Sequence, residues 1–150
     1  MNIEDKISEE LASINQPLGV ISTVSPDNKP ESASMYYICD SALNVYFVTR
    51  SESRKYKNLL QNQHASFVIT SEHPPKTIQL EGTVKEVTDA AEQLNYFEKL
   101  VRKATEGTAI PPVSQVPNGE MKFMKITTTW ARFGNFEVMK EGDKFIETNL

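Results

Sequence analysis

The stretch LNVYFVTRSESRKYKNLLQNQHASFVI, residues 43–69, changes its hydrophobic period twice, and those two changes decide how the chain is read. Leu43, Val45 and Phe47 alternate with Asn44, Tyr46 and Val48, the period of a strand. At Ser53 the period becomes helical, with Tyr56, Leu59 and Leu60 at helix spacing and Ser51 or Ser53 suited to cap the first turn. Strand character returns from Ala65 to Thr70. Between the first strand and the helix lies the densest polar cluster of the chain, Thr49-Arg50-Ser51-Glu52-Ser53-Arg54-Lys55. The free N–H groups and dipole of a helix start favour an anion, and Ser, Thr, Arg and Lys side chains add donors and charge, so a phosphate monoester fits this cluster. The competing reading is that Ser53 only caps the helix while Arg54 and Lys55 are solvated.

Working outward, Ile3, Ile7, Leu11 and Ile14 line one face of a short N-terminal helix that Pro17 ends. From Leu18 to Val24 two faces alternate, Leu18, Val20, Ser22 and Val24 against Gly19, Ile21 and Thr23, and Ser25-Pro26-Asp27-Asn28 supplies a turn. Its partner strand is expected from about Glu31 to Cys39, and with the strand at Leu43–Val48 this predicts an antiparallel meander of three consecutive strands. Downstream, a strand from about Lys76 to Val87 follows a turn at Pro74-Pro75, with Gly82 marking a bulge or a close backbone approach. Asp89 and Glu92 form a capping-box pattern for a helix expected to bury Leu94, Phe97, Leu100, Val101 and Ala104, closed by Gly107. The segment GTAIPPVSQVPNG reads as a long surface loop, and Met121–Val138 as one or two strands broken near Gly134. The order predicts a mainly β single domain: a closed or nearly closed antiparallel barrel with a few packed helices.

Composition bounds the function. The chain has 150 residues, of which 39% are hydrophobic and 24% charged, enough for one self-sufficient core without disulfide staples. Sixteen basic against twenty acidic residues give a net charge of −4, which argues against nucleic-acid or anionic-membrane partners. A single cysteine, Cys39, an N-terminus (MNIEDKISEE) without a signal-peptide pattern and the lack of a membrane-length apolar run lead to the expectation of a cytoplasmic protein. His64 and His73 have no Cys or acidic partner at metal-ligand spacing, so no metal site is expected. Cys39 reads as a small buried hydrophobe rather than a nucleophile.

The runs GVISTVSPDNKPESASMYY (19–37), LNVYFVTRSESRKYKNLLQNQHASFVI (43–69) and IQLEGTVKEV (78–87) resemble the FMN-binding split β-barrel family related to pyridoxamine 5'-phosphate oxidase, including its general stress protein type. The most specific part of the resemblance is the order strand-Thr, short loop, Ser-Arg-Lys, helix. It implies an antiparallel split barrel over residues 1–150, FMN as cofactor, and a homodimer with each flavin at the subunit interface. By the same resemblance, Ala33, Ser34, Met35 and Tyr36 run beside the isoalloxazine, contacting it largely through backbone groups. Val48 and Thr49 end the next strand near the ribityl phosphate, and Ser53, Arg54 and Lys55 form the phosphate clamp. Thr77 or Gln79 meets the polar edge of the flavin, and Trp130 or Arg132 closes over it from the second subunit, although Trp130 also suits a core or dimer-interface position.

The resemblance implies an FMN-dependent oxidoreductase acting on a small-molecule substrate or reductant, its redox chemistry carried by the flavin and not by a protein acid, base or nucleophile. Three departures stand out. The chain ends at ETNL where the established oxidases carry an Arg-Leu-x-Pro-type ending, so pyridoxal phosphate synthesis is not expected. A flavin-contacting Arg of those oxidases falls near Ala33, and Asn62-Gln63-His64 replaces a common Asn-Pro. Relatives of the same fold that bind a deazaflavin or haem, the latter through His64 or His73, and a non-enzymatic flavin-binding stress protein are the alternatives.

Overall fold

The computed structural model describes residues 1–105, 119–138, 142 and 144–150, and begins with helix α1 (Ile3–Ser13), whose N-cap Asn2 accepts from the Asp5 N–H at 2.7 Å. Strands β1 (Leu18–Val24), β2 (Pro30–Tyr36), β3 (Ile38–Cys39) and β4 (Val45–Arg50) lead into α2 (Arg54–Gln61). Strands β5 (His64–Ser71) and β6 (Lys76–Glu86), helix α3 (Ala90–Thr105), and strands β7 (Met121–Asn135) and β8 (Phe145–Asn149) complete the chain. The expected loop over residues 107–119 lies almost wholly outside the described residues, as does the stop at Gly107.

The eight strands among the described residues form one antiparallel sheet in the order β2-β1-β5-β6-β7-β4-β3, with β8 also pairing β7. This is the half-barrel of a split-barrel fold, with helices α1, α2 and α3 packed on it. The expected three-strand meander is formed in part: the segment expected as one strand from Glu31 to Cys39 pairs with β1 over Pro30–Tyr36 and with β4 over Ile38–Cys39, with a break at Tyr37. β2 and β3, separated in sequence by Tyr37 alone, are the two ends of the sheet's strand order, and β2 also packs against β4. The Tyr37 ring is buried edge-on to Phe67, its centroid 5.1 Å away, and its hydroxyl donates to the Gln16 carbonyl at 3.0 Å. Met35 and Tyr37 are both buried, so the side-chain alternation runs on through the break, and β3 pairs with β4.

The core gathers Ile21, Phe67, Ile69, Ile78, Leu80, Val84, Ile126 and Phe133 from the sheet with Ile7 and Leu11 from α1. Each such side chain contributes about 1.5–3 kcal/mol by leaving water. Helix α1 packs on β7 and β8, α2 on β1 and β2, and α3 on β2, β3 and β4. Leu94, expected to be buried in α3, is 70% exposed. The inward stripe of that helix is Gln93, Tyr96, Phe97, Leu100 and Ala104, and Leu94 is rotated off it. No helix among the described residues is long and apolar enough to cross a membrane.

Gly82 is where β6 and β7 lose register: Glu81 pairs Trp130 but Gly82 pairs Thr128, leaving Thr129 as the extra residue of a bulge. Before the bulge β7 buries the side chains of Met124, Ile126 and Thr128; after it, those of Ala131 and Phe133. One inserted residue therefore swaps the two faces of the strand and turns Trp130 and Arg132 outward.

Candidate functional site

The site grows from the end of β4. Thr49 is 2% exposed, and its hydroxyl shares a 2.8 Å hydrogen bond with that of Ser53. Ser53 has the extended backbone of an N-cap and its Oγ accepts from the Tyr56 N–H at 3.2 Å, so the expected capping role is real. The intervening Ser51 is tied to the start of β7, donating its N–H to the Glu120 carbonyl while its Oγ accepts from the Glu120 N–H, each at 2.9 Å. The hydroxyl pair and the loop thus hold the helix start rigidly against two strands. Ser53→Ala is expected to cost about 1 kcal/mol through the lost cap, lowering Tm by roughly 2–4 °C, as thermal denaturation would measure.

Helix α2 carries no acidic residue in its first turn and instead places Arg54 and Lys55 there. Two cations at the positive end of a helix dipole are unfavourable by themselves. Arg54 is compensated: its Nε donates to Glu31 Oε2 at 3.1 Å and its other fork nitrogen pairs with Oε1. Glu31 also accepts from Asn58 Nδ2 at 2.8 Å, and that same amide donates to Thr23 Oγ1 at 3.1 Å. Arg54, then Asn58, hold the Glu31 carboxyl below its ordinary range. Lys55 is different. It is half-buried, burial pushes its pKa down, and among the described residues no hydrogen bond or ion pair is found for it.

Ile21, Thr23, Glu31, Ser32, Ala33, Arg54 and Lys55 line a cavity of about 180 Å³. The structure thus brings Ala33, Arg54 and Lys55 together, with Thr49 and Ser53 at the helix start. Val48 is buried beside Thr49. Along β2, Ala33 and buried Met35 share one face by strand alternation, and Ser34 and Tyr36 the other. As a strand at the sheet's edge, β2 pairs only with β1 among the described residues, which leaves the backbone groups of its other edge outside the ladder.

Thr77, Gln79, Trp130 and Arg132 do not line this cavity; they lie on the opposite face of the sheet. One row of paired residues crosses that face, Ser34, Val20, Val68, Gln79, Arg132 and Glu147 in strand order. The Arg132 guanidinium stands 4.0 Å from the Phe145 ring centroid, with Nε 3.8 Å from Glu147. Trp130, paired with Glu81 on β6, is half-buried on the same face.

Sequence reasoning missed Thr23, Glu31 and Asn58. A signal for all three existed: the turn at Ser25–Asn28 sets Thr23 opposite Glu31, and Asn58 follows Arg54 by four residues on one helix face. His64 is exposed beside a second cavity of about 380 Å³, His73 is exposed in the β5–β6 turn, and no cluster of potential metal ligands occurs among the described residues. Burial pushes the Cys39 thiol up to about 12, so at neutral pH it is protonated.

The profile of the pyridoxamine 5'-phosphate oxidase family matches residues 3–134. The pyridoxine/pyridoxamine 5'-phosphate oxidase of Bacteroides thetaiotaomicron is 29% identical over 124 residues, 79% of this chain but 58% of that protein. The chain therefore spans less than three fifths of that relative's length. A pyridoxamine 5'-phosphate oxidase-related, FMN binding protein from Nostoc punctiforme has the same fold, with a TM-score of 0.64 at 10% identity over 100% of this chain and 97% of its own. So does a heme binding protein from Mycobacterium smegmatis, with a TM-score of 0.73 at 12% identity over 99% of this chain and 59% of its own.

Proposed function

Because the chain belongs to the pyridoxamine 5'-phosphate oxidase family, we propose that it is an FMN-binding flavoprotein, an oxidoreductase whose cofactor phosphate is held at the start of α2. The observation that carries this reading is Lys55, a half-buried cation with no partner among the described residues, facing a cavity beside the free N–H donors of a helix start. An unpaired desolvated charge is costly, and a phosphate at that point compensates it.

In this reading Thr49 and Ser53 hydroxyls, the Arg54 guanidinium and the Lys55 ammonium hold the phosphate. The edge strand β2 lies beside the ring, small Ala33 permitting close approach and backbone groups near Ser34, Met35 and Tyr36 making the contacts. The outward-facing Thr77, Gln79, Trp130 and Arg132 serve the flavin of a second subunit in a homodimer, which their location on the far face of the sheet supports. The bound FMN would supply hydride or electron transfer. The protein's part is to orient the ring, shield one face of it and leave the other to a small-molecule reductant or substrate.

The test is the ligand itself. The purified protein is expected to be yellow and to release a molecule with the mass of FMN on denaturation, or, if it purifies colourless, to quench the fluorescence of added FMN. Release of a deazaflavin, or no FMN binding at all, would overturn the assignment. Reduction of the bound flavin by NADH or NADPH no faster than that of free FMN would remove the oxidoreductase part and leave a flavin-binding protein.

A second reading, haem in place of FMN, draws on the fold shared with the heme binding protein and on His64, which lines a cavity with Ser66, Glu81 and Thr129. A Soret band on haem titration, abolished by His64→Ala, would establish it.

A further inference from the structure

The anion cavity contains a carboxylate. Glu31 lies on the cavity face of β2 opposite Thr23, and its side chain is 20% exposed where that of Arg54 is 79% exposed. The carboxylate is therefore the more enclosed partner and the guanidinium the more exposed one. Asn58 fixes Glu31 further, its one amide nitrogen bridging Glu31 Oε2 and Thr23 Oγ1. Asn58 and Thr23 are themselves buried, so the carboxylate is built into the cavity wall.

Arg54 offers five N–H donors in a fork that grips one planar or tetrahedral anion well. Glu31 already takes the Nε edge of that fork. A phosphate monoester carries a charge of about −1.5 to −2 at neutral pH, so entering the cavity it meets an ionised carboxylate and must share or displace the grip of Arg54. Only Lys55 is uncommitted among the described cavity residues. Removing the like charge while retaining the shape would leave both cations to the ligand.

We propose that Glu31 is an internal competitor for Arg54, an affinity-setting residue that makes the hold of this site on a phosphate monoester weaker than its two cations alone would give. The inference rests on the phosphate-site reading above and adds to it the manner in which the ligand is held. It also separates Glu31 from a residue that merely positions Arg54, since the two roles move affinity in opposite directions.

The experiment is an FMN titration, followed by flavin fluorescence, of the wild-type protein and of Glu31→Gln, Glu31→Ala and Lys55→Ala, with thermal denaturation confirming that each is folded. Glu31→Gln and Glu31→Ala are expected to bind FMN roughly tenfold more tightly or better, with slower release on dilution. Binding equal to or weaker than wild type in the folded Glu31 variants would overturn the proposal, and so would failure of both to fold, because the carboxylate would then be a structural anchor. If one variant does not fold, the other decides. Weak binding in Lys55→Ala with wild-type affinity in the Glu31 variants would remove the competitor and keep the phosphate site. Absence of FMN binding in every protein, wild type included, would remove both.

Discussion

Lys55→Ala is expected to weaken FMN binding by about one to two orders of magnitude, since a charge-assisted hydrogen bond contributes about 1.5–3 kcal/mol. The same substitution should leave the ligand-free protein at least as stable as wild type. Lys55 is half-buried, burial lowers its pKa, and no partner for it is found among the described residues, so its truncation removes a penalty without orphaning another group. A fall in affinity with no fall in Tm would identify a ligand-binding charge; a parallel fall in both would identify a structural one. The pH dependence has a definite sign. Only the protonated amine attracts the phosphate, and burial places its pKa below the ordinary 10.5, so affinity should decline with rising pH before 10.5 is reached. Stability moves the other way. The cost of burying the charge is present in full at neutral pH and is shed as the pH rises from the lowered folded value to 10.5, where the unfolded lysine also loses its proton. Lys55→Arg keeps a charge at every accessible pH and should abolish the alkaline decline in affinity.

Gly82→Ala is the substitution expected to damage the fold most. A Cβ at this position would fall inside contact distance of the Thr127 carbonyl oxygen, with the carbonyl carbon 2.8 Å and the Thr128 Cα 3.0 Å away. These are backbone atoms of the strand paired with Gly82, so no rotamer change relieves the overlap. Overpacking typically costs about 1–3 kcal/mol, and a backbone clash belongs at the upper end. A loss of about 3 kcal/mol corresponds to a Tm lowered by roughly 10 °C in a domain of this size. Chemical denaturation should show the loss in the midpoint. A loss below about 1 kcal/mol would mean that the bulge can open at little cost. In that case the face swap it imposes on β7 would not be rigid enough to keep Trp130 and Arg132 outward.

Most local elements were legible from residue order. The helix at Ile3–Ser13, the strand at Leu18–Val24, the Ser53 cap and the bulge at Gly82 all follow from period, turn chemistry and capping. Leu94 was misjudged because two overlapping helical stripes, one through Leu94 and Val101 and one through Gln93, Leu100 and Ala104, both include apolar residues; contact with the sheet chose the second. Strand β8 was not seen at all, since FIETN alternates weakly and is held by pairing with β7. In β4 the alternation does not report burial, because Val45 to Thr49 are all buried, between the core on one side and α3 on the other.

Residue order alone determined most of the barrel-forming elements, β8 excepted, and the chemistry of the Thr49 to Lys55 cluster, because these are encoded within a few consecutive residues. Tertiary structure decided which of the candidate residues share a cavity. It set Glu31, held by Asn58, against Arg54, left Lys55 the uncommitted cation of the cavity among the described residues, and sent Gln79 and Arg132 to the far face. The reason is register. A strand's faces are fixed only once its partners and bulges are fixed, and one extra residue at Thr129 reassigns the side chains of β7 that follow it.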